Sequence, residues 1–409
     1  MDIHATALGG DAAHGRSSEG GLLRGRKSVS KLPRFIAAQA CFGLLLSCLS
    51  AGTARAQFTL SNTPLWTAAP GDPRYSFLST DNTQRGIAFN PATGNLIVAS
   101  RFGGPGNSNL GVHVLNGQTG ELIGQLNVLN ITGGNPTNFP GNLVGVGDDG
   151  AIYLGNLTTA SAGTPFRLYR WASESAGLNT VDNQPAVNVY SGDPTNGAGG
   201  ARFGDSLDVQ GSGINTQVLV GARAGTPTSF AAILKPADAT AAVFTATTIT
   251  TDVDTGHLGL AFQDADTYWT KNNVAGTNGL LRQVNITGTS GTTANGPPAG
   301  FPPAAGPLGV DGSKNLLALL EVATATSPDN SVQLYDISTP ASPTLITSRP
   351  LAAANQNANG TGAVDFGNDV LYALESNNGI VAYRVVPEPS CLGVAALAAL
   401  ALLRPRLTP

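Results

Sequence analysis

The 409-residue sequence predicts an all-β fold, because its composition favours many short strands over helices. Glycine and proline are abundant, at 52 and 26 residues, while only 12% of the residues are charged, which is typical of a turn-rich chain. The hydrophobic fraction of 41% is too high for a disordered chain. These apolar residues occur in short runs separated by Asn, Gly, Thr, Asp and Pro, as strands joined by tight turns require.

A hairpin-like phrase recurs along the chain and indicates an internal repeat. Each copy has two apolar strands separated by a turn rich in Gly, Asn or Asp, which is the signature of a β-hairpin. The copies begin at intervals of roughly 50 to 60 residues. They are RGIAFNPATGNLIVASR (85–101), LVGVGDDGAIYLGN (143–156), DSLDVQGSGINTQVLVGAR (205–223), HLGLAFQDADTYWTK (257–271), PLGVDGSKNLLALLE (307–321) and AVDFGNDVLYALES (363–376).

Most of these hairpins are followed by a third strand with alternating apolar residues. Three strands and a fourth edge strand make one blade of a β-propeller, so we predict a six-bladed propeller over residues 57–386. Seven blades are the alternative, and a β-sandwich or β-solenoid is less favoured. The last repeat has no fourth strand before Val386, and we predict that residues 58–68 supply it and close the ring. The third strands lie at 111–126, 167–173, 231–244, 279–286, 331–338 and 379–386.

Two repeat phrases, FNPATGNLIVAS and YDISTPASPTLITS, resemble repeats of secreted propellers of the lactonase and NHL types. The resemblance covers only hairpin segments, and no active-site motif of those families carries over with it. It therefore implies a secreted propeller without indicating its function.

Charge and cysteine content restrict the function of the body, residues 57–386. This segment contains 13 basic and 22 acidic residues, a formal net charge of −9. This excess of acidic residues argues against nucleic acid as a partner, because binding to phosphate groups needs clustered Lys and Arg. The three cysteines, Cys41, Cys48 and Cys391, all lie outside the body, which excludes a disulfide framework or a thiolate metal site there.

The first 56 residues have the three parts of a secretory signal. A basic region is followed by an apolar core, FIAAQACFGLLLSCLSAG, and by small residues at Ala54 and Ala56. This order is typical of a signal peptide with an A-x-A cleavage site, so we predict that signal peptidase cuts between Ala56 and Gln57. An uncleaved membrane helix is the alternative.

Residues 387–409 predict a second processing signal. Pro387, Glu388 and Pro389 precede a run of thirteen uncharged, mostly apolar residues from Cys391 to Leu403, which is too short to span a bilayer unaided. Arg404 and Arg406 follow this run, where positive charges favour the cytoplasmic side. The segment resembles the PEP-CTERM sorting signal of Gram-negative bacteria, although its basic cluster is broken as R-P-R and followed by LTP.

This resemblance implies a specific route for the protein. Exosortase, a membrane-embedded cysteine transpeptidase, would recognise the Pro-Glu-Pro element and cleave there. The protein would be exported across the inner membrane, held transiently by the apolar tail, and delivered to the cell surface or the extracellular matrix. The family occurs in bacteria that produce exopolysaccharide and form biofilms, so exopolysaccharide or another matrix component is an expected partner.

The chemistry of the body is weakly marked in the sequence. The stretch GVGDDG (145–150) is interpreted as a hairpin turn, because no helix follows it to bind a pyrophosphate. The carboxylates of DVDTG (252–256) and DADTY (264–268) do not complete a calcium loop and are interpreted as polar turns. His113 alternates within GVHVL and is interpreted as a strand residue.

Four charged or titratable residues are predicted to converge at the mouth of the propeller channel. They lie within the inner-strand phrases, where a small ligand or a cation could bind. The predicted channel-mouth residues are Arg85, Asp205, His257 and Asp365.

These features favour a non-catalytic binding or structural module without a resident cofactor. One alternative is a calcium-assisted hydrolase or lactonase-like enzyme with carboxylates at the channel mouth. Another is a polysaccharide-binding module, which needs aromatic side chains such as Trp66, Trp171 and Trp269 on one exposed face.

Overall fold

The computed structural model describes the body of the chain with several gaps in its loops. The predicted signal segment and the apolar tail lie outside the described residues, so the leader and the C-terminal helix stay predictions. The described residues are 57–101, 110–131, 139–195, 201–222, 230–256, 258–272, 279–295, 301–324, 330–351, 354–357 and 361–388.

The described strands form six antiparallel sheets, which are the blades of a β-propeller. Two short strands, β1 (Phe58–Leu60) and β2 (Trp66–Ala68), precede the first blade. Blade one consists of β3 (Gln84–Asn90), β4 (Asn95–Ser100), β5 (Gly111–Asn116) and β6 (Leu122–Gln125). Blade two consists of β7 (Phe139–Val146), β8 (Ile152–Leu157), β9 (Phe166–Trp171) and β10 (Val187–Gly192). Blade three consists of β11 (Phe203–Gln210), β12 (Gln217–Ala222), β13 (Ala231–Pro236) and β14 (Phe244–Ile249).

The second half of the ring repeats this arrangement. Blade four consists of β15 (Gly259–Asp264), β16 (Thr267–Lys271), β17 (Arg282–Thr287) and β18 (Ser290–Asn295). Blade five consists of β19 (Ala305–Asp311), β20 (Leu316–Glu321), β21 (Ser331–Asp336) and β22 (Thr344–Pro350). Blade six contains β23 (Gly362–Gly367), β24 (Val370–Glu375) and β25 (Gly379–Pro387). The helices among the described residues are the α-helix Glu174–Gly177 and the 3-10 turns Pro73–Tyr75 and Gly213–Asn215. None of these described helices is long and apolar enough to cross a membrane.

The first strand of each blade lies innermost and contacts the first strand of the next blade, so that β23 returns to β3 and the ring is closed. The prediction of six blades is therefore confirmed. The inner strands approach closely: a Cβ added to Gly259 would lie 2.0 Å from the carbonyl oxygen of Gly306 in blade five. Only glycine permits that backbone contact.

The sixth blade is completed by the N-terminal strands, as the sequence predicts. Strand β1 pairs with the end of β25, with Thr59 opposite Val386, and β2 pairs with its beginning, with Thr67 opposite Val381. Arg349 of blade five strengthens this junction, because its Nη2 donates to the Leu60 carbonyl at 2.8 Å. The beginning and the end of the body are thus hydrogen-bonded in one sheet.

The core lies between the blades, and a central strand is buried on both faces. In β4, Leu96 and Val98 pack toward blade six, whereas Ile97 and Ala99 pack toward blade two. The buried apolar residues of the described chain fall into six clusters, one at each interface between neighbouring blades. Two-sided burial explains why these strands read as continuous apolar runs such as NLIVAS.

The closing strand should contribute measurably to stability. We predict that Leu60→Ala lowers the free energy of unfolding by about 2–5 kcal/mol, because Leu60 is fully buried against blade six. Leu122→Ala, at an exposed position of β6, is the matched control and should cost less than about 1 kcal/mol. Urea unfolding measures both, and equal small effects would contradict closure by β1.

Candidate binding site in the axial channel

The ring of inner strands encloses a cavity of about 290 Å³ on its axis, lined by residues of all six blades. One end of this channel narrows to a space of about 10 Å³. We call this the narrow end, and it is formed near the beginnings of the inner strands. The residues contributed by the six blades in order are Arg85, Asn142, Asp205, Leu258, Pro307 and Thr361.

The structure brings two of the predicted site residues together at the narrow end, Arg85 and Asp205. His257 lies outside the described residues, next to Leu258. Asp365 lies within β23, four residues after Thr361 in the sequence, and lines the wider cavity instead. Four residues of a strand span roughly 13 Å, which accounts for this separation.

Arg85 is buried at the seam between blades one and six. Only 8% of its surface is exposed, and its Nη1 donates to Thr361 Oγ1 at 2.9 Å. Thr361 Oγ1 in turn lies 2.8 Å from Ser376 Oγ. Burial lowers the pKa of Arg85, whereas the carboxylate of Asp205 acts in the opposite direction. The guanidinium group is thus held by a hydroxyl and not by a carboxylate.

Asp205 is already paired with another arginine. Arg202 donates to it through both Nε and Nη2, and the Nη2 to Oδ1 distance is 2.8 Å. This two-pronged pairing raises the pKa of Arg202. Both oxygens of the Asp205 carboxylate therefore accept hydrogen bonds from an arginine that directly precedes the same inner strand.

Arg101 is a third arginine near the narrow end, and the sequence analysis missed it. Its guanidinium stacks on the Phe139 ring, 3.5 Å from the centroid, and its Nη2 donates to Asn142 Oδ1. Burial and the charge of Arg85 lower the pKa of Arg101. The signal was available in the hairpin pattern, because a return strand brings residue 101 back beside residue 85.

Two carboxylates of the wider cavity connect neighbouring inner strands. Asp208 Oδ2 accepts the Phe262 amide at 2.7 Å, and Asp365 Oδ2 accepts the Phe89 amide at 2.6 Å. Each therefore ties its own blade to the next, and Asp365 does so where blade six meets blade one. Burial raises the pKa of Asp208 to about 6 and that of Asp365 to about 7.

The motifs considered for metals and phosphates act as turns. Gly147 and Gly150 form a tight turn between β7 and β8, as predicted for GVGDDG. Asp148 and Asp149 accept the amides of Gly211 and Gly213, both at 3.1 Å, and so connect blade two to blade three. Among the described residues there is no group of three or more His, Cys, Asp or Glu arranged to hold a metal ion.

The aromatic residues lie mainly inside the blades. Trp66, Trp171 and Trp269 are all buried, so they offer no sugar-stacking face. Seven of the eight tyrosines are buried as well, and Tyr190 is partly exposed. The polysaccharide-binding alternative, which needs aromatic side chains on one exposed face, therefore gains no support from the tryptophans.

His113 packs inside blade one, as its alternation predicts. Its ring stacks on Phe77 with the centroids 3.8 Å apart, and neither ring nitrogen has a hydrogen-bond partner among the described residues. Burial lowers its pKa to about 3. His113 therefore stays neutral in the folded protein over the ordinary pH range.

No protein-family profile matches the chain, and no curated protein matches its sequence. A chain in the crystal structure of the Mitotic Checkpoint Complex is similar with a TM-score of 0.45 and 12% identity, over 79% of this chain and 95% of that chain. The crystal structure of Chaetomium thermophilum Raptor is similar with a TM-score of 0.43 and 10% identity, over 90% of this chain and 33% of that one. This chain thus spans about a third of the Raptor chain, and similarity at this level carries no functional argument.

The channel carboxylate should make stability depend on pH. The folded state holds the proton of Asp365 up to about pH 7, whereas the unfolded state releases it near pH 4, so the contribution of this group falls as pH rises. We therefore compare the unfolding free energy of Asp365→Asn with that of wild type at each pH. We predict that the difference between the two, variant minus wild type, rises by roughly 2 kcal/mol from pH 5 to pH 8. Denaturant unfolding at several pH values measures this difference, and a pH-independent difference would contradict it.

The buried His113 should make stability depend on pH in the opposite direction. The unfolded state takes up a proton on His113 below about pH 6.5 and the folded state does not, so stability is lost as pH falls. Relative to His113→Gln or His113→Phe, we predict that wild type loses about 1.4 kcal/mol for each pH unit between 6 and 4. Thermal or urea unfolding across this range tests it, and parallel curves for all three proteins would refute the burial of a neutral ring.

Proposed function

We propose that this protein is exported, processed at its C-terminus by exosortase, and used at the cell surface or in the extracellular matrix as a non-catalytic propeller that binds a partner. The propeller fold itself suggests a binding or structural module. The sequence supports the export route through the signal segment before Gln57 and the PEP-CTERM-like tail after Val386.

The observation that carries this proposal is a hydrogen bond between the two processing regions. The amide of Glu388, within the Pro-Glu-Pro element, donates to the carbonyl oxygen of Gln57 at 2.6 Å. Gln57 is the residue that follows the predicted signal-peptidase site. The two proposed cleavage sites therefore flank the same edge of the sixth blade.

This arrangement is compatible with removal of both terminal segments. The pairing of β1 with β25 begins at Phe58 opposite Pro387, so a cut before Gln57 spares every strand of the blade. Cleavage at the end of the Pro-Glu-Pro element would also leave the paired residues in place. The mature propeller would keep its closed ring, which protects its edges from pairing with other chains.

The binding role is supported by the narrow end of the channel. Polar side chains from four blades meet there beside Leu258 and Pro307, which combines polar and apolar lining in the way that small-ligand sites do.

The export proposal predicts a defined change in mass. In a host that contains the exosortase, the full chain should lose the residues that follow the Pro-Glu-Pro element, and in a host without the enzyme it should keep them. Replacement of Pro387, Glu388 and Pro389 by alanine should prevent the loss, whereas Pro350→Ala in β22 should not. Intact-mass spectrometry and cell fractionation measure the outcome, and identical C-termini in both hosts would refute the proposal.

A further inference from the structure

Within the part of the chain that the structure describes, two buried arginines at the narrow end have no hydrogen bond to an anionic group. Arg85 and Arg101 are each only 8% exposed, and each has an Nε atom without a hydrogen-bond partner among the described residues. Their recorded side-chain hydrogen bonds go to neutral groups, the Thr361 hydroxyl and the Asn142 amide. A buried cation normally has a carboxylate or another anion beside it, so this arrangement needs an explanation.

The surrounding charges do not neutralise these two groups. The charge of Asp205 acts on both arginines, but Asp205 is engaged in the two-pronged ion pair with Arg202. Asp81 also acts on Arg85, but it is an exposed residue. Among the described residues that line the narrow end, Asp205 is the carboxylate that the guanidinium groups of Arg85, Arg101 and Arg202 share. The loop segments between residues 57 and 388 that the structure does not describe contain a single acidic residue in their sequence, Asp329.

The position of the cluster is also unusual for this protein. The body is acidic, with 13 basic and 22 acidic residues, yet three of its arginines meet at one end of the channel. Arg85 lines the constriction directly, and Arg101 lies behind Asn142, which lines it from blade two. The positive charge is thus directed toward the axis, where a ligand can approach.

We propose that the narrow end binds an oxyanion, the carboxylate or phosphate group of a small molecule or of the end of a larger one. The inference deepens the proposed binding role and rests on it. Guanidinium groups recognise both kinds of anion through paired N–H donors. The space of about 10 Å³ holds about one water-sized atom, so a single anionic oxygen enters the constriction and the rest of the ligand stays outside.

Three lining residues and Arg101 behind them have distinct roles in this site. Arg85 contacts the anion, and Arg101 supplies a second positive charge through its position behind Asn142. Leu258 and Pro307 form the apolar side of the opening and contact the carbon skeleton of the ligand. A neutral ligand of the same size would leave the two buried charges without a counter-ion.

Thermal unfolding of the purified full chain tests the proposal, with D-glucuronate and inorganic phosphate as probes and D-glucose as the neutral control. Ionic strength is kept constant with NaCl. We expect one or both anions to raise the unfolding midpoint by about 2 °C or more at saturation, and glucose to leave it unchanged. A response to glucuronate alone identifies a carboxylate ligand, and a response to phosphate alone identifies a phosphate ligand. No response to either anion overturns the proposal.

Substitution of the arginines separates binding from a structural role. Without ligand, Arg85→Gln should unfold at the wild-type temperature or higher, because it removes a buried charge that has no counter-ion. With the anion at saturation the order should reverse, since Arg85→Gln and Arg101→Gln are expected to bind at least about tenfold more weakly. Arg384→Gln, at an exposed position of β25, is the matched control and should respond as wild type does.

A structural role for Arg85 predicts a different pattern. Arg85→Gln would then lower the midpoint by the same amount with and without the anion, and that result overturns the proposal. If Arg85→Gln does not fold, the wild-type titration and Arg101→Gln decide the question. The assay uses purified protein and does not involve exosortase, so its failure is distinguishable from failure of the export proposal.

Discussion

The pairing of β1 and β2 with β25 is the constraint on which the rest of the structure depends. A propeller blade buries its faces only while it has a neighbour on each side, so the ring must close to protect all six interfaces. Here the closing contact joins residues more than 300 positions apart, with Thr59 opposite Val386. Because both ends of the body meet in this sheet, the chain can extend beyond it in either direction without disturbing the blades.

Closure also determines where polar groups are needed. The blade interfaces are apolar, and the connections between neighbouring inner strands come from side chains such as Asp208 and Asp365, which accept amides of the next blade. The cost of burying these carboxylates is reflected in their raised pKa values. In the wider cavity the acidic groups therefore serve the ring itself. The arginines at the narrow end are different, because the side chains of Arg85 and Arg101 donate to Thr361 and Asn142, and not to a carboxylate of the described residues.

The sequence predicted the fold well because its turns and strands carry local signals. The hairpins at 85–101 and 363–376 match β3 with β4 and β23 with β24 closely, since Asn, Gly and Asp mark the turns and apolar runs mark the strands. The closing strand was predicted from the missing edge strand of the last repeat. The fourth strands were less visible, because an outer strand such as β22 is half-exposed and lacks a continuous apolar pattern.

The candidate site was only partly predictable. Equivalent positions in the repeats placed Arg85 and Asp205 together, because inner strands begin at the same end of the channel. Asp365 lies deeper, since its position in the repeat is shifted by four residues along the strand. Arg101 and Arg202 were missed because neither lies in an inner strand: Arg101 follows the second strand β4, and Arg202 precedes β11. Their approach to the axis depends on strand register and loop path.

Hydrogen–deuterium exchange of the full chain tests whether the N-terminal strands close the sixth blade. Amide exchange in the peptide that covers residues 57–68 is compared with exchange in the outer strand of blade five, β22. Closure predicts protection of 58–60 and 66–68 comparable to that of β22, because both are paired edge strands. Exchange of residues 58–68 at the rate of an unstructured peptide, with the other five blades still protected, would show that these strands do not close the ring.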